Sequence, residues 1–329
     1  MLPAQSILST LLNYSPSHHT LATSWLDAVE NAMVAFARAD ADACSKALLG
    51  VWEAYWIWLE SEDIGCRKVA ESGLCAMVRY CLTDADIQKA VDAVSFTGTK
   101  SSGRKDGKTP ISDRLKGTVV GSIILRLDKS LHSVTFAKAT PALLSILSAL
   151  ISRLRLSTSP TVRERTATAA EILVPDLITY VGSLRIAKGF EYREKADEVL
   201  GMAVRVLGPE VFLALLPLNI IPEYAPFSLA TSEFGTYDSR RSPEKPPPAP
   251  GRAFLLPLLA RNITNTSLKH FTSYFVPLSE KLFELKVNAE ESGKENEAKV
   301  WHVLIDQVWG CFKGYCEACV DLKEVRSLW

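Results

Sequence analysis

Three thiols near the carboxy-terminal end of the 329-residue chain come closest to a metal-site spacing. Cys316 and Cys319 form a C-x-x-C pair, Cys311 lies just upstream, and His302 sits further back. Thiolates and imidazoles are the ligands zinc prefers, but a structural zinc site needs four, usually from two paired motifs. The second pair is missing, so packed or surface thiols are the expected reading and no metal site is assigned. Cys66, Cys75 and Cys81 fall in one helical segment without ligating spacing. Seven cysteines, an odd number spread along the chain, point to a reducing interior with buried thiols.

Other catalytic chemistry finds little support. No G-x-S-x-G elbow follows a strand, and no glycine-rich dinucleotide fingerprint does either. The five histidines, His18, His19, His132, His270 and His302, are isolated or lie at a fraying end. His270 and His302 read as solvent-facing or packed. The acidic pairs Asp40 with Asp42 and Glu290 with Glu291 read as solvated helix ends. No catalytic residue, cofactor or small-molecule substrate is therefore expected. The one polar, glycine-rich and basic stretch, within residues 96–117, reads TGTKSSGRKDGKT. Its Lys100, Arg104, Lys105 and Lys108 face only Asp106. It is either a solvated connection between helices or a loop that contacts RNA phosphates, with an affinity that falls steeply with salt. The spacing of a nucleotide P-loop is absent.

The elements that carry these residues are helical throughout. Residues 251–285 are the clearest case: Leu268, Phe271, Phe275, Leu278, Leu282 and Leu285 recur at steps of three and four, the period of one helical face. Asn265 or Thr266 is expected to cap this helix, and Pro277 to bend or break it. Phe254, Leu255, Leu258 and Leu259 mark a shorter helix ending near Asn262. The two are expected to form a hairpin that needs neighbours of its own kind.

Further helices are expected over residues 2–12, from Leu21, from Asp42 to Leu59, over 66–82, and over 84–94 with Thr83 as cap. Others follow through Val120 to Leu131, Leu143 to Leu154, 162–184 with Pro175 as an internal kink, 190–207 closed by Gly208, and 209–221. The last helix carries Val300, Trp301, Leu304, Ile305, Val308 and Phe312. The dense aromatics Trp52, Tyr55, Trp56 and Trp58 mark a core face or, alternatively, an exposed binding face. No stretch alternates with period two, so no strand is expected.

Composition sets the wider bounds. At 47% hydrophobic the chain is a folded one, and 37 basic against 37 acidic residues exclude a globally basic nucleic-acid binder. No basic n-region or cleavage site marks a secretory signal. No apolar run is expected to reach the ~18 residues of a membrane helix, the longest candidate being 211–221, so no membrane partner is expected. Five prolines between Pro243 and Pro250 make 228–250 the strongest linker. Helix pairs recur at roughly forty residues, the period of HEAT or armadillo repeats. The expected fold is all-α, a HEAT/armadillo-like superhelix of antiparallel helix pairs with a concave surface. Residues 1–227 and 251–329 carry the repeats, on either side of the linker.

Three segments then read together: GPEVFLALLPLNIIPE at 208–223, GRAFLLPLLARNITNTSLKHFTSYFVPLSEKL at 251–282, and KVWHVLIDQVWGCFKGYCEACVDLKE at 299–324. They closely resemble the eukaryotic ribosomal-RNA-processing protein 12 family of nucleolar HEAT-repeat proteins. The match is strongest from about Arg163 onward, and the chain resembles an internal fragment of the much longer family members. The closing VRSLW departs from the family pattern. The resemblance implies a non-enzymatic role in ribosome biogenesis, in the nucleus and nucleolus with shuttling to the cytoplasm. It also implies pre-ribosomal particles, RNA, the Ran GTPase and nucleoporins as partners. It carries no catalytic residue onto this chain; Pro257, Leu258, Phe271 and Pro277 read as packing and kink positions. Two alternatives stand beside it. An importin-like transport adaptor would use the same architecture, and an unrecognised enzyme would need a convergent polar pocket with buried titratable groups.

Overall fold

Single polar residues decide where the first helices start and stop. Helices α1 (Ala4–Asn13) and α2 (His19–Ala39) are followed by α3 (Ala41–Trp56), and only Asp40 separates α2 from α3. Asp40 leaves the helical region at φ −152°, and its Oδ1 accepts the Ala43 amide at 2.9 Å. A short 3-10 turn, Ile57–Glu60, leads to α4 (Ile64–Tyr80), where Asp63 accepts the amides of Gly65 and Cys66. Helix α5 (Asp84–Ser95) opens with a reciprocal pair: Asp86 N–H donates to Thr83 Oγ1 at 3.1 Å and Thr83 N–H to Asp86 Oδ2 at 3.2 Å. Each cap satisfies amide donors that a first turn leaves unpaired.

The computed structural model describes residues 4–16, 18–95, 114–156, 167–221, 251–264, 266–317, 319 and 321. The expected phosphate-contacting residues Lys100, Arg104, Lys105 and Lys108, and the proline-rich stretch 228–250, lie outside the described residues. So does the expected cap Asn265. Among the described residues no strand forms, and Thr266 and Cys319 make an isolated parallel β-bridge. The all-α reading stands. Packing divides the chain into two units, Met1–Met202 and Ala203–Trp329.

In the first unit α4 lies at the centre. It packs most extensively on α2 and on α7 (Thr140–Arg153), while α6 (Val119–Leu131) packs against α3, α5 and α7. One face of α4 is buried along its length: Cys66, Ala70, Gly73, Leu74, Met77 and Val78. Trp52, Tyr55 and Trp56 of α3 are all within 1% of full burial, so these three aromatics are core, while the fourth, Trp58, is half-buried beside His19. The rings of Trp52 and Trp56 stack at 5.7 Å, and the Tyr55 hydroxyl donates to the Leu26 carbonyl. Burying each large apolar side chain contributes roughly 1.5–3 kcal/mol. That outweighs the cost of the buried indole N–H groups of Trp52 and Trp56, which find no partner among the described residues.

Two expectations fail here for clear reasons. The run 162–184 is not one kinked helix: α8 (Ala169–Leu173) ends and α9 (Pro175–Ile186) begins at the proline. Val174 sits at φ −130° and ψ 23°, because the ring of Pro175 disfavours helical geometry in the residue before it. The longest apolar helical run is also not 211–221. Val134–Arg153, which joins a 3-10 turn to α7, has the length and apolarity of a membrane span. Leu143, Leu144, Ile146, Leu147, Leu150 and Ile151 on it are all buried in the first unit, as befits a core helix.

Helix α10 (Arg193–Leu207) carries the division between the units, and Gly208 at φ +80° turns the chain into α11 (Pro209–Leu215). In the second unit α12 (Leu255–Asn262) comes next. Leu268–His270, a π turn at Phe271–Phe275 and α13 (Val276–Glu291) then follow as one continuous rod. Pro277 falls in the first turn of α13, so the break expected there is met by a shift of hydrogen-bond register just before it. The expected hairpin of α12 with α13 is not the main pairing. Helix α13 pairs with α14 (Glu295–Gly310) across a turn at Gly293 (φ +70°), and α12 packs on α14 and on α15 (Phe312–Glu317). The expected last helix is likewise two, broken at Cys311.

Gly73 is a close approach in the first unit, since a Cβ there would run into the Tyr55 ring. Gly73→Ala is expected to destabilise the protein by about 1–3 kcal/mol through overpacking, although alanine is the better helix former. Chemical denaturation of both forms measures it.

Candidate functional site

The residues singled out for chemistry do not converge. Cys311 is fully buried and donates to the Leu256 carbonyl at 3.5 Å; burial pushes its thiol up to about 12. Cys316 is exposed, and Cys319 donates to Asp321 Oδ1 at 2.8 Å. His302 faces Asp306 on its own helix at 3.7 Å. Among the described residues no group of three or more candidate ligands is placed to hold a metal. His132 stacks on Tyr180 at 3.8 Å and contacts the Asp128 carbonyl. His19 meets Ser61 and the edge of Trp58. His270 bonds the Tyr315 hydroxyl at 2.7 Å, and its burial holds the imidazole below its ordinary range.

The second unit shows why its sequence segments belong together. Phe271 of the π turn is 1% exposed and lies 5.6 Å from Trp309, 5.0 Å from Phe312 and 5.2 Å from Tyr315. Trp309 donates to Ser279 Oγ at 2.9 Å. Leu258 is buried, while Pro257 is exposed in the first turn of α12. The Arg252 amide donates to the Leu218 carbonyl at 2.7 Å and its guanidinium to the Pro217 carbonyl at 3.0 Å, joining the ends of residues 222–250.

Asp321, the first residue of the Asp-Leu-Lys stretch, caps a helix far upstream. Its carboxylate accepts Ser267 Oγ at 2.6 Å and the amides of Leu268 and Lys269 at 2.9 and 3.1 Å. Ser267 is the local cap, where Asn265 or Thr266 was expected. Burial alone would raise the Asp321 pKa. The hydrogen bonds from Cys319, Ser267 and the two amides outweigh that and hold it well below the usual carboxylate range.

A trough in the first unit, about 620 Å³ in volume, forms a concave surface with converging polar groups. Helix α4 contributes Lys68, Glu71, Ser72, Cys75 and Arg79; α7 contributes Ser145, Ser148, Ala149 and Ser152; α10 contributes Lys195, Glu198 and Met202. Successive lining residues within each helix are one, three or four positions apart, so each helix presents one face. Lys195 pairs with Glu198 at 2.9 Å. The Ser145 hydroxyl is buried and meets no hydrogen-bond partner among the described residues. Cys75 forms part of the floor, and burial pushes its thiol up to about 11, which makes it a poor nucleophile. Nothing in the trough pairs a nucleophile with a base. The sequence alone does not reveal it, because its residues lie on three separate helices. The available signal is Ser145, Ser148 and Ser152 interrupting an otherwise apolar helix at helical spacing.

Helical hairpins packed side by side, with polar surface troughs and no assembled catalytic group among the described residues, define a helical-repeat protein of the HEAT type. The family model "Ribosomal RNA-processing protein 12, HEAT repeats" matches residues 60–326, and the chain belongs to that family. The match begins well before Arg163, so the first-unit helices from α4 onward are part of it. A putative ribosomal RNA-processing protein 12 from Schizosaccharomyces pombe is 29% identical over 98% of this chain and 22% of its own length. An RRP12-like protein from Gallus gallus is 25% identical over 98% of this chain and 21% of its own. Ribosomal RNA-processing protein 12 from Saccharomyces cerevisiae is 24% identical over 97% and 22%. The chain thus spans about a fifth of the length of these relatives.

Asp321→Ala is expected to lower the stability of the second unit by about 1 kcal/mol, the typical worth of a cap. A depressed carboxylate pKa stabilises the fold at pH values above its unfolded value, near 3.9. That contribution is lost as pH falls through the folded value. Wild type and variant should therefore converge in stability in strong acid, as urea titrations at pH 7 and below pH 3 would show.

Proposed function

We propose that this chain is a non-enzymatic helical-repeat scaffold of ribosome biogenesis. In this reading it binds pre-ribosomal RNA and assembly proteins and supports ribosomal RNA processing and subunit export. The observation that carries the reading is the family match over residues 60–326, backed by three relatives of which two bear the name ribosomal RNA-processing protein 12 and the third RRP12-like protein. The work belongs in the nucleus and nucleolus, with shuttling to the cytoplasm, and Ran and nucleoporins are further partners. Residues 1–227 and 251–329 act as two stretches of repeats joined by the proline-rich segment 228–250. Lys100, Arg104, Lys105 and Lys108 supply phosphate contacts from the basic stretch between α5 and α6.

The full-length protein that contains this sequence is expected to co-sediment with pre-ribosomal particles on a gradient. Its absence from those fractions would overturn the reading. Nucleotide-dependent capture by Ran in place of particle binding would favour a transport adaptor instead. Replacing all four basic residues of that stretch with Ala should weaken RNA binding and flatten its salt dependence. The slope of log affinity against log salt should fall by up to about 2.8, at 0.7 per phosphate contact on a single strand. An unchanged slope would reduce the stretch to a connection.

A further inference from the structure

We infer that the trough between α4, α7 and α10 is a second, preformed site for the sugar-phosphate backbone of single-stranded RNA. The inference rests on the RNA-binding reading above, and it concerns a surface distinct from the basic stretch. The charge arrangement carries it. Lys195 is engaged by Glu198, so one carboxylate is neutralised inside the trough. Lys68 and Arg79 are exposed on the α4 face of the trough, and neither makes an ion pair or hydrogen bond to another described residue. They stand eleven residues apart on one helical face, about 16 Å along the axis at 1.5 Å per residue. That is more than one internucleotide step, so each can meet a different phosphate of an extended strand.

Hydroxyls line the trough beside Cys75, Ala149 and Met202. They belong to Ser72, Ser145, Ser148 and Ser152, and the Ser145 hydroxyl is buried with no partner among the described residues. Serine hydroxyls and basic side chains are the groups that contact phosphate oxygens and sugars, fixing the register of a nucleic acid without reading its bases. Three cations against two carboxylates leave the trough net positive. Glu71 forms no ion pair among the described residues, although its charge, like that of Glu198, acts on Lys195. Its repulsion should limit affinity, so the trough guides a strand and does not clamp it. A duplex is excluded as the occupant because its paired phosphates demand a broad basic face, whereas here the two free cations lie in a single line on α4.

The test uses the full 329-residue chain and a fluorescein-labelled oligouridylate, with anisotropy followed over a potassium chloride series. Lys68→Ala with Arg79→Ala should weaken binding several-fold and reduce the salt slope by about 1.4, at 0.7 for each phosphate contact. Arg79→Lys should retain the slope, because the charge remains. Both substituted side chains are exposed, so circular dichroism and melting should match wild type. An unchanged slope in the double variant, or no RNA binding by the wild-type chain, would overturn the inference. So would failure to bind oligouridylate together with trough-dependent binding of a phosphoserine peptide, which would assign the trough to a phosphorylated protein. If trough-dependent RNA binding persists while the full-length protein is absent from pre-ribosomal fractions, the site stands and the ribosome-biogenesis reading falls. RNA binding that survives the trough variants but is lost in the Lys100, Arg104, Lys105 and Lys108 variant overturns the trough site and leaves the ribosome-biogenesis reading in place.

Discussion

Helix α4 must hide one face against two helices at once, and the small side chains that let it do so govern the first unit. Ala70 and Gly73 remove bulk where the Tyr55 ring and α2 come close, while Leu74, Met77 and Val78 fill the remaining space. The opposite face of the same helix carries the long polar groups Lys68, Glu71 and Arg79. The burial that stabilises the unit therefore also decides where its charged trough opens. Fold and surface chemistry are two sides of one helical period.

The second unit solves the same problem with aromatics. A π turn widens the helix by one residue at Phe271–Phe275 and so brings two rings, Phe271 and Phe275, onto one buried side. Trp309, Phe312 and Tyr315 close over them from α14 and α15. This explains why sequence segments separated by tens of residues resemble the same family together. Asp321 belongs to that logic. Its carboxylate fastens the tail to the start of the rod at Ser267, so a polar residue in a short motif holds structure together at a distance.

Helix existence is largely legible in the sequence, because steps of three and four among apolar residues are a local signal. The cap at Thr83 and the turn at Gly208 are legible for the same reason. What escapes is non-local. The partner of α12 depends on which neighbour offers a complementary face, and nothing within residues 251–285 states that. The cap supplied by Asp321 comes from 54 residues away in sequence. Pro175 is legible as a disruption, but whether a proline kinks a helix or starts a new one depends on the surrounding packing. The trough is invisible for a related reason: Lys68, Ser148 and Lys195 become neighbours only after three helices have packed. Spacing alone marks the chemistry of the cysteines and histidines as sparse, and it does not reveal that Cys44 and Cys81, far apart in sequence, share the Met33 carbonyl.

The bond between Arg252 and Leu218 fastens the chain where residues 222–250 depart and where they return. Whatever length intervenes therefore leaves α11 and α12 in register. Closing a connection between fixed ends costs only about 0.6 kcal/mol more for each doubling of its length. That junction is a tolerant port in an otherwise tightly packed unit. Relatives can lengthen, shorten or decorate it, and so gain or lose a recognition segment, without disturbing the hydrophobic interior beside it.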